Sequence, residues 1–178
     1  MRKMKTAIIG VLLTILIGCS TEVSEYKGST PAFNLFEYFD GEVTAWGMVQ
    51  DYTNKQQRRF KVDIVGTING DTITLVEDFV FDDGELDQRI WKIKRLSDST
   101  YEGEAGDILG IAQGKEVGNA LHWVYDFELT LDDSKVKVTF DDWLFRQDDR
   151  HVFNITSIRK LGVEVGQITL FFQKRTPN

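Results

Sequence analysis

The chain has 178 residues, with 21 Lys and Arg against 28 Asp and Glu, two His, one Cys and 12% aromatic residues. That length suits one domain, and 42% hydrophobic with 28% charged content is a globular composition, against disorder, a collagen-like repeat or a multi-span membrane protein. A net charge of −7 without a basic cluster in the folded part offers nothing to grip nucleic-acid phosphates, and one Cys makes neither an internal disulfide nor a zinc site.

Residues 1–18 have the parts of an export signal: Arg2, Lys3 and Lys5, then an eleven-residue apolar run from Ala7 to Ile17. The run is shorter than the roughly 20 residues a spanning helix needs. It ends in Leu16-Ile17-Gly18-Cys19, which resembles a bacterial lipobox, so Cys19 is expected to carry a diacylglycerol thioether. A cleaved soluble signal peptide, or an anchor with an incidental Cys, is the alternative. By resemblance to Gram-negative lipoproteins, Ser20 after the cysteine points to the periplasmic face of the outer membrane, with attachment through the acyl chains. Residues 19–31 read as a polar, lipid-anchored tether, and residues 32–178 as a single domain.

The one helix expected is a turn or two at Ala32 to Phe39, where Phe33, Phe36 and Phe39 are suited to plug one end of a sheet. From Val43 onward the period is two, as in Arg59 to Ile64 and Lys135 to Phe140. Strands are expected near 43–51, 58–68, 72–81, 86–96, 100–104, 107–114, 119–131, 135–145, 152–161 and 164–174. Turn signals at Asn69-Gly70-Asp71, Asp82-Asp83-Gly84, Ser97-Asp98-Ser99 and Asp132-Asp133-Ser134 separate them. The fold predicted is all-β: an antiparallel meander that closes into a barrel of about eight to ten strands, because an open one would expose long edges. Pro31 and Pro177 stand outside the strands, and Gly106, Gly110, Gly114 and Gly118 stand where a wall bends or strands approach closely.

The run Asp78 to Gly84, then Arg89-Ile90-Trp91, Tyr101-Glu102-Gly103, Gly118-Asn119, Trp123-Val124-Tyr125 and Phe140-Asp141-Asp142-Trp143 resembles a bacterial lipoprotein family catalogued as domain of unknown function 3833. The resemblance runs from about Phe36 to Phe172. It implies a compact lipocalin-like (calycin-type) β-barrel, with genes often beside enzymes that modify fatty acyl chains. Gly41 and Trp46-Gly47 are similar to the glycine and tryptophan that open a lipocalin barrel.

Within strand 72–81, Glu77 is the single carboxylate on the face of Ile73, Leu75, Phe79 and Phe81. A three-residue loop at Asp82-Asp83-Gly84 sets Ile73 opposite Ile93, Leu75 opposite Trp91 and Glu77 opposite Arg89. That pair is either an internal anchor offering its guanidinium to a carboxylate or phosphate headgroup, or a structural pair that satisfies itself. Leu121, Trp123, Tyr125, Phe127, Leu129 and Leu131 share one face, as the wall of a ligand site or as packed core. Asp141 and Asp142 are strand neighbours that point apart, and Asp142 shares the face of Val138, Phe140 and Leu144. No metal loop, phosphate loop or nucleophile elbow is present, so no cofactor, metal or catalytic residue is expected.

The expected function is a non-catalytic binding module that holds a fatty acyl or other lipidic molecule, with Glu77, Arg89, Trp91, Trp123, Tyr125, Phe127 and Asp142 as candidate contacts. The rival expectations are an envelope accessory protein docking a protein partner, and an enzyme using Glu77 or Asp142 as acid or base.

Overall fold

The computed structural model describes residues 21–131 and 134–176. The expected signal segment, Cys19, Pro177 and the Asp132-Asp133 turn lie outside the described residues. A 3-10 turn, Val23–Tyr26, precedes helix α1 (Leu35–Phe39). The strands are β1 (Gly41–Asp51), β2 (Gln56–Asn69), β3 (Thr72–Phe81), β4 (Leu86–Ser97), β5 (Thr100–Glu104), β6 (Ile108–Val117), β7 (Ala120–Leu131), β8 (Ser134–Arg146), β9 (His151–Lys160) and β10 (Val163–Lys174).

Each strand pairs antiparallel with its neighbour in sequence, and β1 also pairs with β10, from Val43 opposite Lys174 to Asp51 opposite Gly166. The protein is therefore a closed ten-strand antiparallel barrel. The strand limits follow the period-two reading closely. The largest difference is β6, which continues to Val117: Gly114 does not end the strand but leaves room on the inner face for the Trp123 ring, 2.8 Å from where a Cβ would stand.

One end of the barrel is stoppered by α1. The helix starts at Leu35 rather than Ala32 because the Asn34 side chain caps it, accepting the Glu37 N–H at 3.0 Å. Phe33, Leu35, Phe36, Tyr38 and Phe39 are all buried. Phe36 stacks on Tyr101 at 5.9 Å between centroids, the Leu35 N–H donates to Glu116 Oε2 at 3.0 Å, and the Tyr38 hydroxyl donates to the Arg150 carbonyl at 2.9 Å. Buried Arg146 donates to the Ala32 carbonyl at 2.9 Å and to Glu37 Oε1 at 3.1 Å.

The segment before the helix corrects the expected tether. Val23 is buried, Tyr26 packs on Trp143 and Phe145 at 5.8 and 5.5 Å, and the Ser29 hydroxyl donates to Asn119 Oδ1 at 2.8 Å. Its apolar members find an apolar outer wall, so packing begins at Val23, well ahead of Ala32.

The plug depends on a bare position in β2. A Cβ at Gly66 would lie 1.7 Å from the carbonyl oxygen of Phe39, the last residue of α1. Gly66→Ala is expected to destabilise by about 1–3 kcal/mol through overpacking. Gly106→Ala, whose Cβ meets nothing within 4 Å, should stay within about 0.5 kcal/mol of the parent. Denaturant unfolding of the two variants side by side checks this.

Candidate ligand-binding site

Strand alternation turns one set of side chains inward along every strand, and the stopper at one end leaves the interior to be filled by those side chains alone. They do not fill it. A cavity of about 270 Å³ remains, just under the roughly 300–1,000 Å³ common for small-molecule sites. The turns after β1, β3, β5 and β9 gather at the end opposite α1, which is the accessible end.

The wall is mostly apolar, aromatic and aliphatic in equal share. Trp91 and Trp123 lie 6.4 Å apart between centroids, Trp91 meets Tyr125 edge-on at 5.4 Å, and Phe127 stacks on Phe140 at 4.9 Å. Gly103 and Gly114 clear space for the two indoles. The bulky row of β7 thus divides: Leu121 is closed core, whereas Trp123, Tyr125, Phe127 and Leu129 line the cavity. Leu131 ends the strand.

A polar cluster is set into this apolar wall. The β3–β4 register is the one the turn predicts, with Ile73 opposite Ile93, Leu75 opposite Trp91 and Glu77 opposite Arg89. Glu77, Arg89 and Asp142 all line the cavity. The ion pair is not the expected one, however. Arg89 Nε donates to Oδ2 of Asp107 at 2.7 Å, and its Nη2 stands 2.5 Å from the same oxygen as an ion pair. Among the described residues, no hydrogen bond and no cation within 4 Å reaches the Glu77 carboxylate. Asp142 Oδ1 accepts from the Thr156 hydroxyl and from Asn154 Nδ2, both on β9. Asp141 points outward, as strand geometry requires, to His122 at 2.8 Å and Arg159 at 3.4 Å.

Electrostatics follow from the enclosure. Burial pushes the Glu77 carboxyl up to about 7, against the opposing pull of Arg89, with Asp107 and Asp142 adding to the rise. Burial likewise raises Asp142, despite hydrogen bonds from Thr156, Asn154 and Tyr125 that favour its ionised form. Burial also raises the Tyr125 phenol, with Asp142 adding to it. Burial works against the Arg89 charge, yet Glu77, Tyr125 and Asp107 outweigh it and hold the guanidinium above its ordinary value.

All the candidate contacts, Glu77, Arg89, Trp91, Trp123, Tyr125, Phe127 and Asp142, come together on this one cavity. Sequence reasoning missed Asp107, Asn154 and Thr156. Asp107 lies in the β5–β6 loop just past the end of β5, where the β4–β5 register that sets Lys92 opposite Glu104, carried on by three residues, brings it opposite Arg89; a loop residue beyond the paired strands is not read as a partner. The other two had a readable signal: Val152, Asn154, Thr156 and Ile158 share one face of β9, and two polar residues in an inward row mark a polar spot in the wall.

A family model described as a protein of unknown function (DUF3833) matches residues 13–174. No curated protein matches the sequence. Among solved structures, the Rv2717c protein of M. tuberculosis aligns with TM-score 0.60 at 14% identity, over 83% of this chain and 99% of that one. The S-type phycobiliprotein lyase of Guillardia theta aligns with TM-score 0.53 at 9% identity, over 80% of this chain and 92% of that one. The fold is thus a lipocalin-like calycin barrel. The lyase also corrects the expectation of a non-catalytic module: a barrel of this shape serves an enzyme, so the architecture gives no ground for setting catalysis aside.

A carboxyl raised from 4.5 to about 7 binds more protons folded than unfolded across that interval, so its effect is to lower stability as pH climbs through it. Glu77→Gln removes the penalty. Denaturant unfolding between pH 4.5 and 7 should therefore show the variant gaining on the parent as pH rises, by up to about 3 kcal/mol.

Proposed function

The chain belongs to the DUF3833 family, and we propose that it is an envelope lipoprotein whose barrel binds a fatty acyl or other lipidic molecule. The observation that carries this reading is the cavity: an aromatic and aliphatic chamber, stoppered at one end and accessible at the other, with a few polar groups on its wall. Such a chamber suits an elongated apolar molecule with one polar end.

The outer surface supports the membrane half of the reading. Trp46, Phe171, Phe153 and Phe145 follow one another in register across β1, β10, β9 and β8, with Ile155 opposite Trp143 alongside. Trp46, Phe153 and Ile155 are 46%, 44% and 41% exposed, which makes this an outward apolar face. Aromatic side chains favour the membrane–water interface. Tyr26 packs on this face only a few residues beyond Cys19, so a lipidated Cys19 would hold the wall close to the outer-membrane surface. The same face favours a second reading, a surface that docks a protein partner.

Two measurements test the proposal. Native mass spectrometry of protein released from the envelope should find a small apolar molecule bound, and Ile168→Trp, which adds bulk to the cavity wall, should lose it while remaining folded. Absence of any bound or bindable lipid in the parent contradicts the reading. Cys19→Ser should move the protein out of the membrane fraction, and its continued membrane attachment would contradict anchoring by lipid. In-cell crosslinking at Trp46 or Phe153 separates the second reading, which requires one dominant protein adduct.

A further inference from the structure

Two carboxylates of the cavity wall, Glu77 and Asp142, and a third from the β5–β6 loop, Asp107, surround a single guanidinium, Arg89. A headgroup anchor for a carboxylate or phosphate needs a cation with free donors facing the ligand. Arg89 offers only part of that: its Nε and Nη2 are turned to Asp107, and its charge is already opposed by Glu77 directly across the hairpin.

Acceptors, in contrast, stand open. Asp107 Oδ1 is buried without a hydrogen-bond partner, because both Arg89 contacts fall on Oδ2. Glu77 faces the cavity with no donor among the described residues, whereas Asp142 takes both β9 donors on Oδ1 and a further one from Tyr125 but has no cation paired to it. An anionic headgroup entering here would add a further negative charge to a buried site already rich in acid. A nitrogen carrying hydrogens would meet unoccupied acceptors instead.

Resting on the reading that the cavity takes a lipidic molecule, we propose that the polar end of that molecule is a cationic or N–H-bearing nitrogen, held between Glu77 and Asp142. The aromatic wall assists, since Trp91, Trp123 and Tyr125 present ring faces and edges around the same region, and aromatic rings attract cations. The raised protonation of Glu77 and Asp142 agrees with this assignment: both are acceptors short of a positive partner. Arg89 then has a positioning role. Clamped to Asp107, it balances one carboxylate and leaves the other two for the ligand.

The test uses three probes with the same chain and different heads: dodecylamine, dodecanol and dodecanoate, each below its micelle concentration. Binding to the full chain carrying Cys19→Ser is read from the fluorescence of the indoles, of which Trp91 and Trp123 line the cavity. Dodecylamine is expected to bind at least tenfold more tightly than dodecanoate. Glu77→Gln should weaken the amine about tenfold, weaken dodecanol by far less and strengthen dodecanoate. If that variant does not fold, Asp142→Asn carries the same comparison.

Dodecanoate binding tighter than dodecylamine, with the preference lost in Arg89→Ala, overturns the inference and restores the guanidinium as a headgroup anchor. Equal binding of all three probes also overturns it, while leaving lipid binding itself standing. Failure of every probe to bind overturns the lipid reading on which the inference rests.

Discussion

The pairing of β1 with β10, continuous from Val43–Lys174 to Asp51–Gly166, is the contact on which the molecule depends. Without it the meander has two long edges and no inside. With it, every strand acquires an inner and an outer face, and the period-two alternation of the sequence becomes a division between chamber and solvent. The first and last strands are brought together across the whole domain, so the barrel is complete only when nearly all of the chain is in place. Helix α1 then finds a ready hole, and its residues Leu35, Phe36 and Phe39 replace water at one end of the chamber.

Closure also explains why the polar cluster is so consequential. An open sheet would let solvent reach Glu77, Arg89 and Asp142. In the closed barrel they share an apolar enclosure, where an unpaired charge costs several kcal/mol and hydrogen bonds gain in strength. The protein meets this by pairing Arg89 with Asp107, by hydrogen-bonding Asp142 to Asn154 and Thr156, and by leaving Glu77 to take up a proton more readily than usual. A site that keeps an unsatisfied acceptor inside an apolar chamber departs from the most stable packing, and such departures are characteristic of functional sites.

Much of this was legible in the residues. Alternation and turn chemistry give all ten strands, and the Asp82-Asp83-Gly84 loop gives the β3–β4 register to the residue, because a slip by one would turn Trp91 away from Leu75. The illegible features are those that arise from closure in three dimensions. Asp107 reaches Arg89 from a loop beyond the end of β5, and the plug's dependence on Gly66 comes from the end of α1 folding back onto β2, where Gly66 stands opposite Gly41. Residues 21–31 look polar and short, yet Val23 and Tyr26 are enough to lay them on the wall. Likewise, one large residue at a time on β1, β8, β9 and β10 looks like ordinary exposed alternation. Only the register lines Trp46, Phe171, Phe153 and Phe145 up into a continuous face.

The central claim is that the barrel is hollow so that something can occupy it. The most direct measurement is a crystal structure of the protein taken from its envelope without delipidation. Elongated density is expected between Trp91 and Phe140, ending within hydrogen-bond distance of Glu77 or Asp142. An interior closed by direct packing of Phe127 and Leu129 against Trp91, with no room for a ligand, would contradict it.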